Sequence, residues 1–227
     1  MTSDQVQALL KTRPLSYSSL KEFARSPKSY LHYITKRRVA TDAMQLGSAL
    51  DCLLFTPDDF DKRFKVMGEN EKRTAGIKEA NKGIELLTAS MFAKAYEMKE
   101  AVMGEQESEK LILAPGEVQK KVYWTNKKTG LPLTAILDKL SDDFYLELKT
   151  TSDETERGFS ATAINFDYCL QAAMQVIGTH GSLTLEKPFM YIVVESTEPY
   201  NVRVFRITPE FLSYGVRQYI KVLESFK

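Results

Sequence analysis

Two short segments hold the residues whose types and spacing could do chemistry: Ile136-Leu137-Asp138 and, nine positions on from that aspartate, Glu147-Leu148-Lys149. Ser141-Asp142-Asp143 between them reads as a tight turn. Asp138 and Glu147 are therefore expected side by side on adjacent antiparallel strands. Glu147 and Lys149 share a face because strand side chains repeat every two residues. Two neighbouring carboxylates repel each other and attract a divalent cation, and a lysine beside them can orient or deprotonate a water. That is the kit for metal-assisted phosphodiester hydrolysis, in which the ion lowers the pKa of its water. An exposed hairpin with a solvated salt-bridge ladder would show the same spacing, so the pattern by itself leaves both readings open.

The surrounding sequence adds weight to the first. Downstream, Tyr168 and Gln171 interrupt an otherwise apolar run of Leu170, Ala172, Ala173, Met174, Val176 and Ile177. A glutamine in such a helix needs a hydrogen-bonding partner, which a phosphate or Lys149 would supply. Upstream, Asp51 falls between Leu50 and Cys52-Leu53-Leu54. If that helix face is buried, its carboxylate must meet a partner or a metal, because an unpaired buried charge is too costly; otherwise it lies on a polar stripe. Between Lys11 and Arg38, eight basic residues face one acid, Glu22, with Tyr17, Phe23, Tyr30 and Tyr33 interleaved. This is either a solvated helix face over aromatic anchors or a phosphate-contacting patch that includes Arg25 and Lys28.

Other chemistries are excluded. The two histidines, His32 and His180, form no zinc-ligand pattern. No Gly-x-x-x-x-Gly-Lys-Ser/Thr loop or helix-opening Gly-x-Gly-x-x-Gly is present, so the common nucleotide-binding loops are out. Cys52 and Cys169 are too few and too far apart for a disulfide scaffold. The net charge of +1 supplies no global field, so a polyanion must be held by a local patch. No apolar run approaches the roughly 20 residues of a membrane span, and the first residues lack a secretory pattern. A soluble, cytoplasmic, reduced protein with no membrane partner is expected.

The elements that must position these residues follow from periodicity. At 227 residues and 43% hydrophobic composition, the chain can form a sizeable core, read as one domain over 1–227. Residues 1–14 read as a mobile lead-in, 15–103 as mainly helical and 117–227 as a sheet-containing core. Ser16 and Ser26-Pro27 mark two helix starts. A helix is expected over 43–55, and the longest amphipathic helix over 76–103. Residues 104–115 read as acidic and turn-like. Strands are expected at 117–124, 133–140, 144–150, 189–195 and 202–207, with helices over 161–180 and after Thr208-Pro209-Glu210.

In that order, Ser26-Pro27, Met44-Gln45-Leu46-Gly47-Ser48-Ala49-Leu50, Glu71-Lys72-Arg73, Glu117 on a strand before Trp124, Leu137-Asp138-Lys139, Glu147-Leu148-Lys149-Thr150-Thr151 and Tyr168-Cys169-Leu170-Gln171 resemble the nuclease domain of exonuclease VIII. This is the RecE-type branch of the PD-(D/E)XK nuclease superfamily, more distantly related to RecB-type nucleases and lambda exonuclease. The resemblance runs from about Leu15 to the end. It implies an α/β (α+β) fold: a central mixed β-sheet flanked by helices, with a helical N-terminal part. It implies Asp138 and Glu147 as metal-binding acids, Lys149 as the catalytic lysine, the Leu148 carbonyl as a further ligand and Gln171 as the helix glutamine near the scissile phosphate. Arg25, Lys28, Lys72, Arg73 and Tyr168 are expected DNA contacts, and Glu117 is a further candidate.

This chain departs from the family pattern in having Asp51 where histidine is usual; a carboxylate still suits Mg²⁺ or Mn²⁺, so Asp51 is retained as a ligand. Gln175 stands where an aromatic is expected, and no proline precedes Asp138. The activity implied is that of a Mg²⁺-dependent double-strand DNA exonuclease, running 5′ to 3′ and leaving a 3′ overhang. Such enzymes form closed homo-oligomeric rings on linear duplexes and act with a RecT-like single-strand annealing protein in phage-type recombination. A catalytically silent DNA-binding subunit and an endonuclease of the same superfamily are the competing readings.

Overall fold

The computed structural model describes residues 13–36, 40–68, 77 and 81–225. Most of the expected lead-in, and both Lys72 and Arg73, lie outside the described residues.

Serines and threonines set the helix starts, as their positions in the sequence suggest. Ser16 accepts the N–H of Ser19, which returns the bond to the N–H of Ser16, and this capping box opens α1 (Tyr17–Arg25). Ser26 ends α1 and caps α2 (Pro27–Thr35), with Pro27 in the first turn, where a missing N–H costs nothing. Thr41 caps α3 (Asp42–Phe55). A short 3₁₀ turn (Pro57–Asp59) and α4 (Phe60–Arg63) lead into β1 (Phe64–Val66), which pairs in parallel with β2 (Glu85–Leu87). Two helices, α5 (Ala89–Gly104) and α6 (Gln106–Leu113), precede the main sheet.

That sheet has five strands in sequence order: β3 (Glu117–Thr125), β4 (Pro132–Leu140), β5 (Tyr145–Thr151), β6 (Phe189–Glu195) and β7 (Val202–Arg206). All neighbours are antiparallel except β5 and β6. Parallel strands need a long crossover, supplied here by α7 (Glu156–Asn165) and α8 (Tyr168–His180). The chain closes with α9 (Pro209–Glu224), capped by Thr208. The mixed α/β sheet is thus the expected one.

Alternation along β5 and β6 sorts the core into two layers. Tyr145, Phe189, Tyr191 and Val193 face α8 and α9, where Leu170, Met174, Leu212 and Val216 cover them. Leu146, Leu148, Ile192 and Val194 face the opposite way, onto Leu46, Ala49 and Leu50 of α3 and Ala95, Met98 and Val102 of α5. Covered on both faces, β6 is apolar from Phe189 to Val194, as a central strand should be.

One ladder is incomplete. β4 and β5 pair only at Lys139↔Leu146 and Leu140↔Tyr145, and then diverge. Farther along β4 the backbone of Leu15 takes the vacated place, donating to the Pro132 carbonyl at 2.8 Å and accepting from the Thr134 N–H at 3.0 Å.

Three sequence expectations are corrected. The helix expected over 76–103 is not continuous: Ile77 is helical, but Gly83 turns at φ +93°, Glu85–Leu87 form β2, and Thr88 then caps α5. Leu87 stands a helical step from Ile84 only by coincidence: Ile84 lies in the turn, and Leu86 and Leu87 are adjacent buried residues of β2. The stretch 104–115 contains α6, started by the Glu105 carboxylate accepting from the N–H groups of Glu107 and Ser108. Its last turn is held by buried Lys139, whose ammonium donates to the carbonyls of Leu111 and Ile112 at 3.1 and 2.6 Å. The helix over 161–180 is two helices, broken where Asp167 takes a left-handed conformation at φ 55°. Among the described residues, no helix is long and apolar enough to cross a membrane.

α8 and α9 touch backbone to side: a Cβ built on Gly215 would lie 1.9 Å from the Cys169 carbonyl oxygen. Backbone cannot yield as a flexible side chain can. Gly215→Ala is therefore expected to cost about 3 kcal/mol, the upper end of overpacking penalties, measured as a fall in unfolding free energy in urea.

Candidate active site

The divergence of β4 and β5 leaves backbone groups on two facing strand edges without ladder partners, and such groups must be satisfied. The acids do it. The N–H of Asp138 donates to Glu147 Oε1 at 3.2 Å, and the N–H of Leu148 donates to Asp138 Oδ2 at 2.8 Å. Each carboxylate thereby bridges to the opposite strand. An N–H and C=O of one strand residue share an edge, so the Leu148 carbonyl also faces this gap.

Glu147 is 1% exposed, and both its oxygens are engaged. Oε1 also accepts from Gln175 Nε2 at 2.5 Å; Oε2 accepts from Lys149 Nζ at 2.6 Å and Gln171 Nε2 at 2.8 Å. Gln171 and Gln175 are one turn apart on α8, so a single helix face delivers both amides. Gln175 spends its other N–H on the Ile136 carbonyl of β4 at 2.7 Å. It is as buried as Glu147.

Lys149 is similarly enclosed. Its ammonium sits over the rings of Tyr168 and Tyr191, 5.1 and 5.8 Å from their centroids. Burial alone would pull its pKa down, but the Glu147 and Asp138 carboxylates override this and hold it above the ordinary lysine range. In this arrangement Lys149 is a firmly protonated donor, which favours orienting a water or phosphate oxygen over deprotonating a water.

Asp51 approaches from α3. Gln119 of β3 donates to both of its oxygens, at 2.9 and 3.1 Å. Burial raises the Asp51 carboxyl to about 6; the nearby Glu147 charge adds to the rise, while Arg63, the Gln119 hydrogen bond and Lys149 oppose it. Asp138 is raised further, by burial first, then by Glu147 and, more weakly, by Asp51. Three acids thus feel one another in a low-dielectric pocket with one lysine among them.

Asp51, Asp138, Glu147, Lys149 and Gln171 are therefore brought together, with the Leu148 backbone. Tyr168 belongs to this group as the shelf beneath Lys149, stacked between Phe166 and Tyr191. Glu117 does not: it is exposed and paired with Lys120 at 2.6 Å. Arg25 borders a separate hollow of 470 Å³ with Asp167, Gln218 and Lys221, and Lys28 is exposed at the start of α2. Gln119 and Gln175 were not anticipated as partners of the acids. For Gln175 a signal existed, since a second amide four residues after Gln171 in an apolar helix needs a partner as much as the first. Nothing in the strand pattern singled out Gln119. Among the described residues, no three Asp, Glu, His or Cys side chains form a ready-made ion cage; Glu147 is turned onto its four donors instead.

Strands that part over paired acids, an adjacent E-x-K and a helix carrying glutamine define a PD-(D/E)XK nuclease-like domain. The chain belongs to the family described as PDDEXK-like domain of unknown function (DUF3799), which matches residues 16–227. A crystal structure of a candidate exonuclease from Eubacterium rectale has a similar fold: TM-score 0.64 at 14% identity, covering 100% of this chain and 88% of that one. The structure of SSO0001 superposes at a TM-score of 0.35 and 8% identity, over 91% of this chain and 84% of that one, too low to carry an argument. No curated protein matches the chain.

The raised Asp51 carboxyl makes a pH prediction. An acid whose pKa is higher folded than unfolded stabilises the fold below its unfolded value near 4, and this contribution is lost as the pH rises through about 6. In EDTA, Asp51→Asn is expected to be more stable than wild type at pH 8 by roughly 1–2 kcal/mol, the gain vanishing toward pH 4. Urea denaturation at both pH values measures it.

Proposed function

We propose that this chain is a divalent-metal-dependent deoxyribonuclease that hydrolyses phosphodiester bonds. The observation that carries the reading is the cross-strand exchange at the β4/β5 gap, where Asp138 and Glu147 are each fixed by the other strand's backbone beside a protonated lysine. Mutually repelling, desolvated acids are the donor set that a hard cation relieves. Asp51, Asp138 and the Leu148 carbonyl suit Mg²⁺, with Mn²⁺ as a substitute, and Glu147 would join by exchanging one of its four donors. When bound, such an ion acidifies a water and offsets charge on the phosphate.

The rest is the chain's own work. Lys149 holds its proton and offers it as a hydrogen-bond donor to a phosphate oxygen or the attacking water, while the Tyr168 and Tyr191 rings exclude bulk water from its flank. Gln171 steadies Glu147 and lies within reach of the same phosphate. Past Thr150, a hollow of 420 Å³ opens between the start of α3, the end of β5 and Phe166, and it offers room for the scissile strand. As in the RecE-type enzymes that the sequence resembles, we assign double-stranded DNA as substrate. Exonucleolytic 5′-to-3′ degradation leaves a 3′ overhang, the assembly is a ring, and a RecT-like annealing protein is the partner.

A time course on linear duplex labelled at one 5′ end tests the reading. With Mg²⁺ or Mn²⁺, label is expected to be released early from linear DNA, and closed circles to survive; EDTA stops the reaction. Lys149→Ala should lower the rate at least about 100-fold, as for loss of a key electrostatic group, with DNA binding retained. Equal cutting of circles would make the enzyme an endonuclease. No cleavage of any DNA, with duplex still bound, would leave a silent binding subunit.

A further inference from the structure

Gln119 occupies an unusual position for a mid-strand residue. It lies in β3 with φ at +50°, a left-handed conformation that disfavours any side chain and is normally left to glycine. The β3–β4 register is regular on both sides, Val118↔Lys139 and Lys120↔Leu137, and lapses only where Gln119 faces Asp138. No residue is inserted, since the two flanking pairs stay in phase. The ladder is interrupted at one point, opposite one of the two central acids.

The Gln119 amide reaches across to α3 and donates to both oxygens of Asp51. A non-glycine left-handed residue is strained and persists when the surroundings over-determine it. Here the surroundings are the carboxylate it holds.

We propose that Gln119 is a positioning residue: its strained backbone aims the side-chain amide at Asp51 and so presents that carboxylate to a divalent cation at the β4/β5 gap. The proposal rests on the metal-dependent reading above and extends it to a residue outside the acid and lysine set. It explains how an aspartate, shorter-reaching than histidine, is held at a fixed place on α3.

Gln119→Gly removes the donor and relieves the strain, so it separates positioning from bracing; Gln119→Met removes the donor but keeps the bulk. Mn²⁺ binding to the wild type and both variants, by isothermal titration calorimetry without DNA, is compared with the metal-free melting temperatures. The expected result is an affinity about 10-fold weaker in both variants, the usual loss for a residue that orients a ligand, with Gln119→Gly melting at or above wild type. Unchanged Mn²⁺ affinity in Gln119→Gly overturns the role of Gln119 and leaves the nuclease reading standing. A lower metal-free melting temperature in both variants identifies a brace between α3 and β3, which also overturns it. A wild-type protein that binds no Mn²⁺ overturns the metal reading itself, and this role with it.

Discussion

The active-site region depends on a single constraint: two strands that pair for two residues and then part must still satisfy the backbone groups along the opened edges. In most sheets a parting of strands is filled by water or another strand. Here the first groups past the fork are taken by the carboxylates of Asp138 and Glu147, the next by the Gln175 amide, and the last by the backbone of Leu15. The acids are therefore structural before they are chemical. Their positions follow from the backbone itself, which is far stiffer than a rotamer choice.

That arrangement carries an electrostatic cost. Glu147 is saturated with donors and Lys149 balances one charge, but Asp138 and Asp51 remain desolvated beside it, and their carboxyls are pushed upward. The core on both sheet faces is apolar and well covered. The desolvated acids are thus gathered at the gap, apart from the apolar core.

Much of this was legible in the sequence because it is periodic or local. The E-x-K face, the strands from β3 to β7, the serine and threonine caps and the Pro27 and Pro209 helix starts all depend on neighbours within four residues. Asp138, Glu147 and Lys149 meet as their spacing suggested, and Gln171 and Asp51 join them as the resemblance implied. What escaped depends on longer-range geometry. Gln119 becomes significant only through a backbone twist opposite Asp138, and Gln175 only because β4 and β5 diverge to leave the Ile136 carbonyl open. α6 has a local start in the Glu105 cap, but its final turn is completed from 27 and 28 residues away by the buried ammonium of Lys139. The short β2 was hidden by residues that also fit a helical period.

The contact between Gly215 and the Cys169 carbonyl has a mechanical consequence. With no side chain between them, the start of α8 and the middle of α9 cannot slide past each other, so the two helices behave as one block. The glutamines that grip Glu147 ride on that block, so one jaw of the cleft is rigid. Motion across the gap is therefore motion of that pair of helices as a unit relative to the helix bearing Asp51, which packs on the other side of the sheet.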